Sequence, residues 1–288
     1  MPNGQNRLIG TEFLFHLHFL IQNWVTMELN QRLLDCMGPA AEGVTVDQVT
    51  IGLGYTAVTT VKGDIGIAAT PVAEITGNCD VDDYEQRPAI DLLKQILTND
   101  PMTRTMALAL INALNHRQRQ DLPEDADNQV LFDRFNVFSG TRLAMVGYFR
   151  PLVRFLESQN IPLMVIDDAK GIGDKAAFYD RLNGWADVLL ITATSIINNS
   201  TETIISHAGP DVQTVLLGPS TPMCAQAFTH LPIHMLAGTA ITQPERILKI
   251  VRHGGGSQRL KRNSRKIFQI TEPARSTSKR NCPVNRSV

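Results

Sequence analysis

Apolar positions recur along the chain with two periods, and the change in their arrangement divides it. From Met27 the segment MELNQRLLDCM places Leu29, Leu33, Leu34 and Met37 on one helical face. Residues 44–51 alternate as a strand does, and residues 52–58 and 66–70 read as further short strands separated by turn residues. Two helical segments follow. Residues 88–97 carry Ile90, Leu93 and Leu97 on one face, and residues 103–116 carry Met106, Leu110 and Leu114 at helical spacing. Strands first and helices afterwards, with no crossover pattern, predict a small α+β domain over residues 27–120.

A polar, acidic stretch containing Pro123 reads as a linker over residues 121–130, and beyond it strand and helix alternate. Strands are predicted at 142–146, 162–166, 187–191, 212–217 and 233–236. Helices are predicted at 151–158, 174–182, 199–207, 223–228 and 244–252. Repeated units of this kind imply a parallel sheet with right-handed crossovers, so residues 131–256 read as a Rossmann-like domain. The fold class is therefore α/β. Residues 257–288 have few apolar positions and no sustained period, and read as a largely flexible basic tail.

Composition narrows the function classes only a little. The 288 residues are 43% hydrophobic and 19% charged, ordinary values for a chain able to bury one or two cores. A net charge of −1 selects no partner, but from Arg246 onward about twelve Lys and Arg face one Glu. Nucleic acid is disfavoured, because no aromatic residues interleave with those basic ones to stack on bases. The apolar run over residues 13–25 is too short to span a bilayer and lacks the flanks of a signal peptide, which argues against membrane insertion and secretion. Residues 1–26 read either as an added helical arm or as translated upstream sequence. Cys36, Cys79, Cys224 and Cys282 form no CxxC pair, so neither a zinc cluster nor a disulfide framework is expected. A cytoplasmic location follows. Nothing in the sequence opposes a homo-oligomer.

Polar residues gather where predicted strands of the second domain end, the position at which parallel sheets bind ligands. Gly147 permits a tight turn after the first strand, and Asp167 with Asp168 ends the second. In ITATSIINNST the buried strand gives way to Asn198, Asn199, Ser200 and Thr201, of which one or two can cap the following helix. Gly218-Pro-Ser-Thr-Pro222 closes the fourth strand, where Ser220 and Thr221 offer hydroxyls to a carboxylate or phosphate. A proline-stiffened connection explains the prolines but not the repetition of polar groups. No GxGxxG fingerprint is present.

These motifs have a recognisable order. IGLGYTAV, the helix containing Asn112, VGYFRPLV, ADVLLITATSIIN and LLGPSTP together resemble the putative heavy-metal chelation family across residues 28–260. The resemblance implies an enolase N-terminal-like α+β domain followed by the Rossmann-like one, with residues of both forming a cleft. It also implies a role in heavy-metal chelation, or condensation or hydrolysis in making pterin-, flavin- or siderophore-like molecules. Carried to this chain, the implied site residues are Gly52, Gly54, Tyr55, Thr56 and Asn112 from the first domain. From the second come Gly147, Tyr148, Asp167, Thr192, Asn198, Gly218, Ser220 and Thr221. The chain has Thr192-Ala-Thr194 and Asn198-Asn-Ser200 where the family usually has Thr-Gly-Thr and Asn-Gly-Thr. Asn tolerates the left-handed backbone a glycine would adopt.

Direct metal ligation finds little support in the residues. His16 and His18 lie in the doubtful arm, and Pro232 between His230 and His234 argues against a helical ligand pair. Glu74, Asp80, Asp82 and Asp83 read as a solvated acidic loop. Catalysis is also weakly signalled: no GxSxG elbow occurs, and Tyr55 and Asp167 are the proton donor and acceptor a cleft could use. The leading reading is a protein acting on a small polar, chelating metabolite; the alternative is a non-catalytic binder of a metal chelate associated with transport. No particular cofactor is implied. A third reading, interaction through the basic tail, requires that deletion beyond Gly256 abolish a binding activity.

Overall fold

The structure, a computed structural model, describes residues 28–74 and 82–272. The first helix, Glu28–Ala41, is followed by strands β1 (Val46–Ile51), β2 (Tyr55–Thr60) and β3 (Ile65–Ala69). These form an antiparallel sheet in sequence order. Helix Pro101–Leu114 then lies across it. Asp100 starts that helix by accepting the Thr103 amide at 2.5 Å, and Pro101 occupies the first turn, where its missing N–H costs nothing. Met102, Met106, Leu108, Leu110 and Ile111 are all buried, because the helix has apolar neighbours on nearly every side.

The second sheet is built from β4 (Leu143–Val146), β5 (Leu163–Ile166), β6 (Val188–Thr192), β7 (Gln213–Leu217), β8 (Ile233–Ile241) and β9 (Ser264–Ile270). Their order across the sheet is β5-β4-β6-β7-β8-β9. The first five are parallel, and β9 runs antiparallel along the edge of β8. The fold class is thus a mostly parallel α/β sheet preceded by a small α+β unit.

One apolar cluster runs through both sheets. It joins Leu33 of the first helix and Met106 and Leu110 of Pro101–Leu114 to Leu189, Ile191 and Leu216 of the large sheet. Each such side chain contributes roughly 1.5–3 kcal/mol through burial, so the two parts stabilise each other. A second cluster covers the opposite face of the large sheet beneath helices Gln129–Arg134 and Arg150–Ser158. A third reaches back across the chain: Ile247 and Val251 of helix Pro244–Arg252 pack on Tyr55, Ala57, Ile65 and Ile67. The small sheet is therefore held between a helix of its own and one from the far end of the sequence.

Three expectations change. The stretch over residues 121–130 is no free linker: the Asp125 amide donates to the Lys266 carbonyl, and Glu124 bridges to Ile267. The tail beginning at 257 is largely structured as far as 270, since helix Ser257–Leu260 and β9 follow at once. The edge strand SRKIFQI escapes a periodicity reading because only Ile267 is fully buried and its neighbours are half-exposed. Residues 1–27, 75–81 and 273–288 lie outside the described residues. Finally, Cys36 of the first helix and Cys224 are joined as a disulfide across a separation of 188 residues. One long-range pairing leaves no spacing signature, so the cysteines give no guide to compartment. Among the described residues no helix is long and apolar enough to cross a membrane.

Candidate functional site

Between β4 and β6 the order of the strands reverses, so the loops leaving their carboxyl ends diverge and open a crevice. A hollow of about 730 Å³ occupies it. Gly147 and Tyr148 line it after β4, Asp167 and Lys170 after β5, and Thr192, Thr194, Asn198 and Ser200 after β6. Leu53, Ala69, Thr70 and Val72 of the small-sheet unit close the other side. Lys175 and Tyr179 reach it from helix Lys175–Trp185.

Local sequence explains this geometry. Gly147 has φ +90, and a Cβ there would lie 2.8 Å from the Thr192 Cβ, so only glycine allows the two strand ends to approach. The buried Asp167 carboxylate accepts the Tyr148 amide at 2.8 Å and the Lys170 amide at 3.1 Å. It also pairs with the Lys170 ammonium. Thr192 and Thr194 hydroxyls lie 3.0 Å apart, and Ser200 donates to Asn198 Oδ1 at 2.6 Å. Asn199 takes the left-handed backbone at φ +54 and its side-chain Oδ1 accepts from Asn30 Nδ2 at 2.7 Å. No side chain caps helix Thr201–Ser206, contrary to the capping expectation; Asn198, Asn199 and Thr201 are engaged elsewhere.

The electrostatics are nearly balanced. Lys175 Nζ lies 2.7 Å from Asp168, whose hydrogen bond holds the ammonium above its ordinary pKa. Burial raises the Tyr179 phenol. Two lysines and two aspartates thus pair among themselves around hydroxyls and a carboxamide. Such a surface suits a polar, near-neutral or zwitterionic guest more than a highly charged one.

Of the residues singled out from sequence, Gly147, Tyr148, Asp167, Asp168, Thr192, Asn198 and Ser200 are brought together here. The others are placed elsewhere. A Cβ on Gly52 would meet the Val251 carbonyl oxygen at 2.1 Å, and one on Gly54 the Gly255 carbonyl oxygen at 2.8 Å. These glycines admit the backbone around helix Pro244–Arg252. Tyr55 packs beside Ile247 and Val251, where burial pushes its hydroxyl up to about 12. Thr56 is buried with its hydroxyl 3.0 Å from that of Thr70. Asn112 donates to the carbonyls of Ile67 at 2.8 Å and Ser220 at 3.1 Å, while Ser220 accepts the Ala69 amide at 2.8 Å. Thr221 donates to the Ala237 carbonyl. Asn112 and Ser220 fasten the small sheet to the large one, and Gly218 lines a different hollow.

Sequence reasoning missed Thr70, Thr194, Lys170, Lys175 and Tyr179. Thr70 follows β3 directly as Thr192 ends β6, so the same strand-end rule would have found it; the lysines carry no comparable signal. His230 and His234 both have protein partners. His230 lies 3.4 Å from Glu202, and His234 Nδ1 accepts the Thr214 amide at 3.0 Å. Among the described residues no three His, Cys, Asp or Glu side chains cluster as metal ligands. His16, His18 and Asp80 lie outside those residues.

Comparison with known proteins agrees with the geometry as far as the fold. An uncharacterised protein of Methanocaldococcus jannaschii is 23% identical over 256 residues, covering 85% of this chain and 97% of its own. A crystal structure of a protein with unknown function from the DUF364 family of Pyrococcus horikoshii superposes with a TM-score of 0.71 at 18% identity, covering 86% of this chain and all of that one. One from Desulfitobacterium hafniense of the same family gives 0.67 at 17% identity, covering 84% and 99%. At these identities the likeness establishes the fold alone. Two family models, both described as putative heavy-metal chelation, match residues 34–115 and 130–270. The chain belongs to the putative heavy-metal chelation family.

Proposed function

We propose that the hollow at the ends of β4, β5 and β6 binds a small polar metabolite able to chelate metal, such as a pterin-, flavin- or siderophore-like molecule. The observation that carries this reading is the lining itself: hydroxyls, a carboxamide and paired charges stand among apolar side chains such as Leu53, Phe149 and Ile204 around about 730 Å³, bounded by both sheets. That volume lies within the range of metabolite sites. In this reading metal arrives bound to the guest.

Between catalysis and binding, the side chains favour binding. Tyr55 sits in an apolar cluster with its pKa raised to about 12, away from the hollow's lining. Asp167 is occupied by two amides and Lys170. Neither is free to move a proton to a guest, so the pairing expected from sequence gives way to a holding role for Asp167. Condensation or hydrolysis of the guest remains the second reading, with Tyr148 and Tyr179 as the phenols that line the hollow.

The test combines thermal shift with product mass. Purified protein is incubated with pterin, flavin precursors, S-adenosylmethionine and catecholate chelators, each with and without Cu²⁺ or Zn²⁺. A true guest at about 100 times its Kd stabilises the fold by roughly 2.7 kcal/mol, and Asn198→Ala abolishes that gain. Turnover in any mixture supports the catalytic reading; a stabilising guest recovered unchanged supports binding; no stabilisation by any chelator contradicts both.

A further inference from the structure

A second hollow, of about 470 Å³, lies against the other apolar cluster of the large sheet. Its wall is aromatic: Phe132 and Phe155 stack with centroids 5.0 Å apart and planes 9° from parallel, and Phe149 stands beside Leu152. Leu217 and Gly218 at the carboxyl end of β7, with Ala237 in the middle of β8, form its base. Its rim comes from the segment that sequence patterning assigns to a tail, with Lys261, Arg265 and Lys266.

The rim charges are unequal once their partners are counted. Asp125 accepts the amides of Val130 and Leu131 at 3.1 and 3.2 Å, which turns its carboxylate toward the helix start. Glu124 lies 3.7 Å from Arg265. Lys266 is different: its ammonium donates to Asn128 Oδ1 at 3.0 Å, and none of the ion pairs among the described residues includes it. Lys266 is half-buried, and burial, followed by the charge of Lys261, lowers its pKa, against the smaller opposing pull of the Asp125 and Asp127 carboxylates. A half-buried ammonium whose hydrogen bond goes to a neutral amide, with carboxylates near but not in ion-pair contact, is stabilised further by an anion placed beside it. Exposed Asp127 makes no hydrogen bond or ion pair among the described residues, although its charge is felt at Lys266, and it faces both Lys261 and Lys266 on the rim.

We propose that this second hollow binds an amphipathic organic anion, its flat apolar body against Phe132, Phe149 and Leu217 and its acidic group at Lys266. The site is distinct from the polar hollow, although Phe149 lines both. Aromatic and aliphatic carboxylates or sulfonates are the matching chemistry, and neutral analogues of the same shape lack the group that Lys266 would receive.

Two fluorescent probes of similar body test this: anilinonaphthalene sulfonate, which is anionic, and phenylnaphthylamine, which is neutral. The anion is expected to bind saturably at one site and about tenfold more tightly than the neutral probe. Lys266→Met should reduce the anion's affinity by about tenfold and leave the neutral probe's unchanged. Lys261→Met, at an exposed position that leaves folding intact, should reduce it by about two- to threefold. Lys175→Met, in the other hollow, should change neither. Equal affinity for both probes, no saturable binding, or indifference to both Lys266→Met and Lys261→Met would overturn the proposal.

Discussion

The joint between the two sheets and the hollow beside it are made of the same residue types, yet they do opposite things. At and around the joint, Asn112 and Ser220 tie the sheets together while Gly66 and Gly52 admit helices Pro101–Leu114 and Pro244–Arg252 against the small sheet, so their polar atoms and bare Cα positions serve the protein itself. In the hollow, Gly147, Thr192 and Asn198 stand a few residues along comparable strand ends and keep a face toward open space. A polar residue at the end of a buried strand therefore has two fates. It joins when another element of the protein meets it and remains available when none does.

Substitutions can break that contrast, and the largest effect belongs to the joint. A Cβ on Gly66 would meet the Ala109 carbonyl oxygen and the Ala113 amide nitrogen, both at 2.2 Å. Gly66→Ala must push helix Pro101–Leu114 off its sheet, so urea unfolding should register a loss of about 3 kcal/mol or more. Asn112→Ala leaves two buried carbonyls without their donor and should cost about 2–3 kcal/mol. Ser220→Ala removes one acceptor from the Ala69 amide and should cost about 1 kcal/mol, with any guest's affinity unchanged once the protein is folded.

A smaller effect depends on pH. His234 sits at the opposite end of β8 from the hollow, and burial holds its imidazole below the ordinary pKa. The folded state thus prefers the neutral ring, whose Nδ1 accepts from Thr214. Its contribution is present in full above a pH of about 6.5 and is lost as pH falls through the lowered folded value. Unfolding curves at several pH values should show this decline in the wild type and a shallower one in His234→Gln. Smallest of all, Asn198→Ala should leave stability within about 0.5 kcal/mol while removing guest-induced stabilisation. An Asn198→Ala protein that unfolds as readily as Asn112→Ala would erase the distinction between joint and hollow.

The fold was largely legible because buried parallel strands announce themselves as apolar runs. The predicted strands at 142–146, 162–166 and 187–191 fall within a residue of β4, β5 and β6. The prediction at 233–236 stopped short because Ala237, Gly238 and Thr239, the small residues beside the second hollow, look like the start of a loop. Strand β9 was missed altogether, since Arg265 and Lys266 lie on a half-exposed edge and mimic a solvated tail. For the candidate hollow, glycine and polar residues after apolar runs pointed to Gly147, Thr192 and Asn198, which line it. The same rule misplaced Ser220 and Thr221, because nothing in a linear pattern reveals that β3 and β8 arrive to satisfy them. Tyr55 was read as a donor because its period could not tell which neighbour, hollow or helix, would cover it.

Hydrogen exchange in the presence of a stabilising chelate tests the central claim most directly. Bound guest should slow exchange together at residues 69–72, 147–148 and 192–200, the segments that bound the polar hollow from both sheets. Asn198→Ala should cancel that protection. Slowed exchange confined to residues 237–239 and 264–267, or none at either sheet's share of the hollow, would contradict the account.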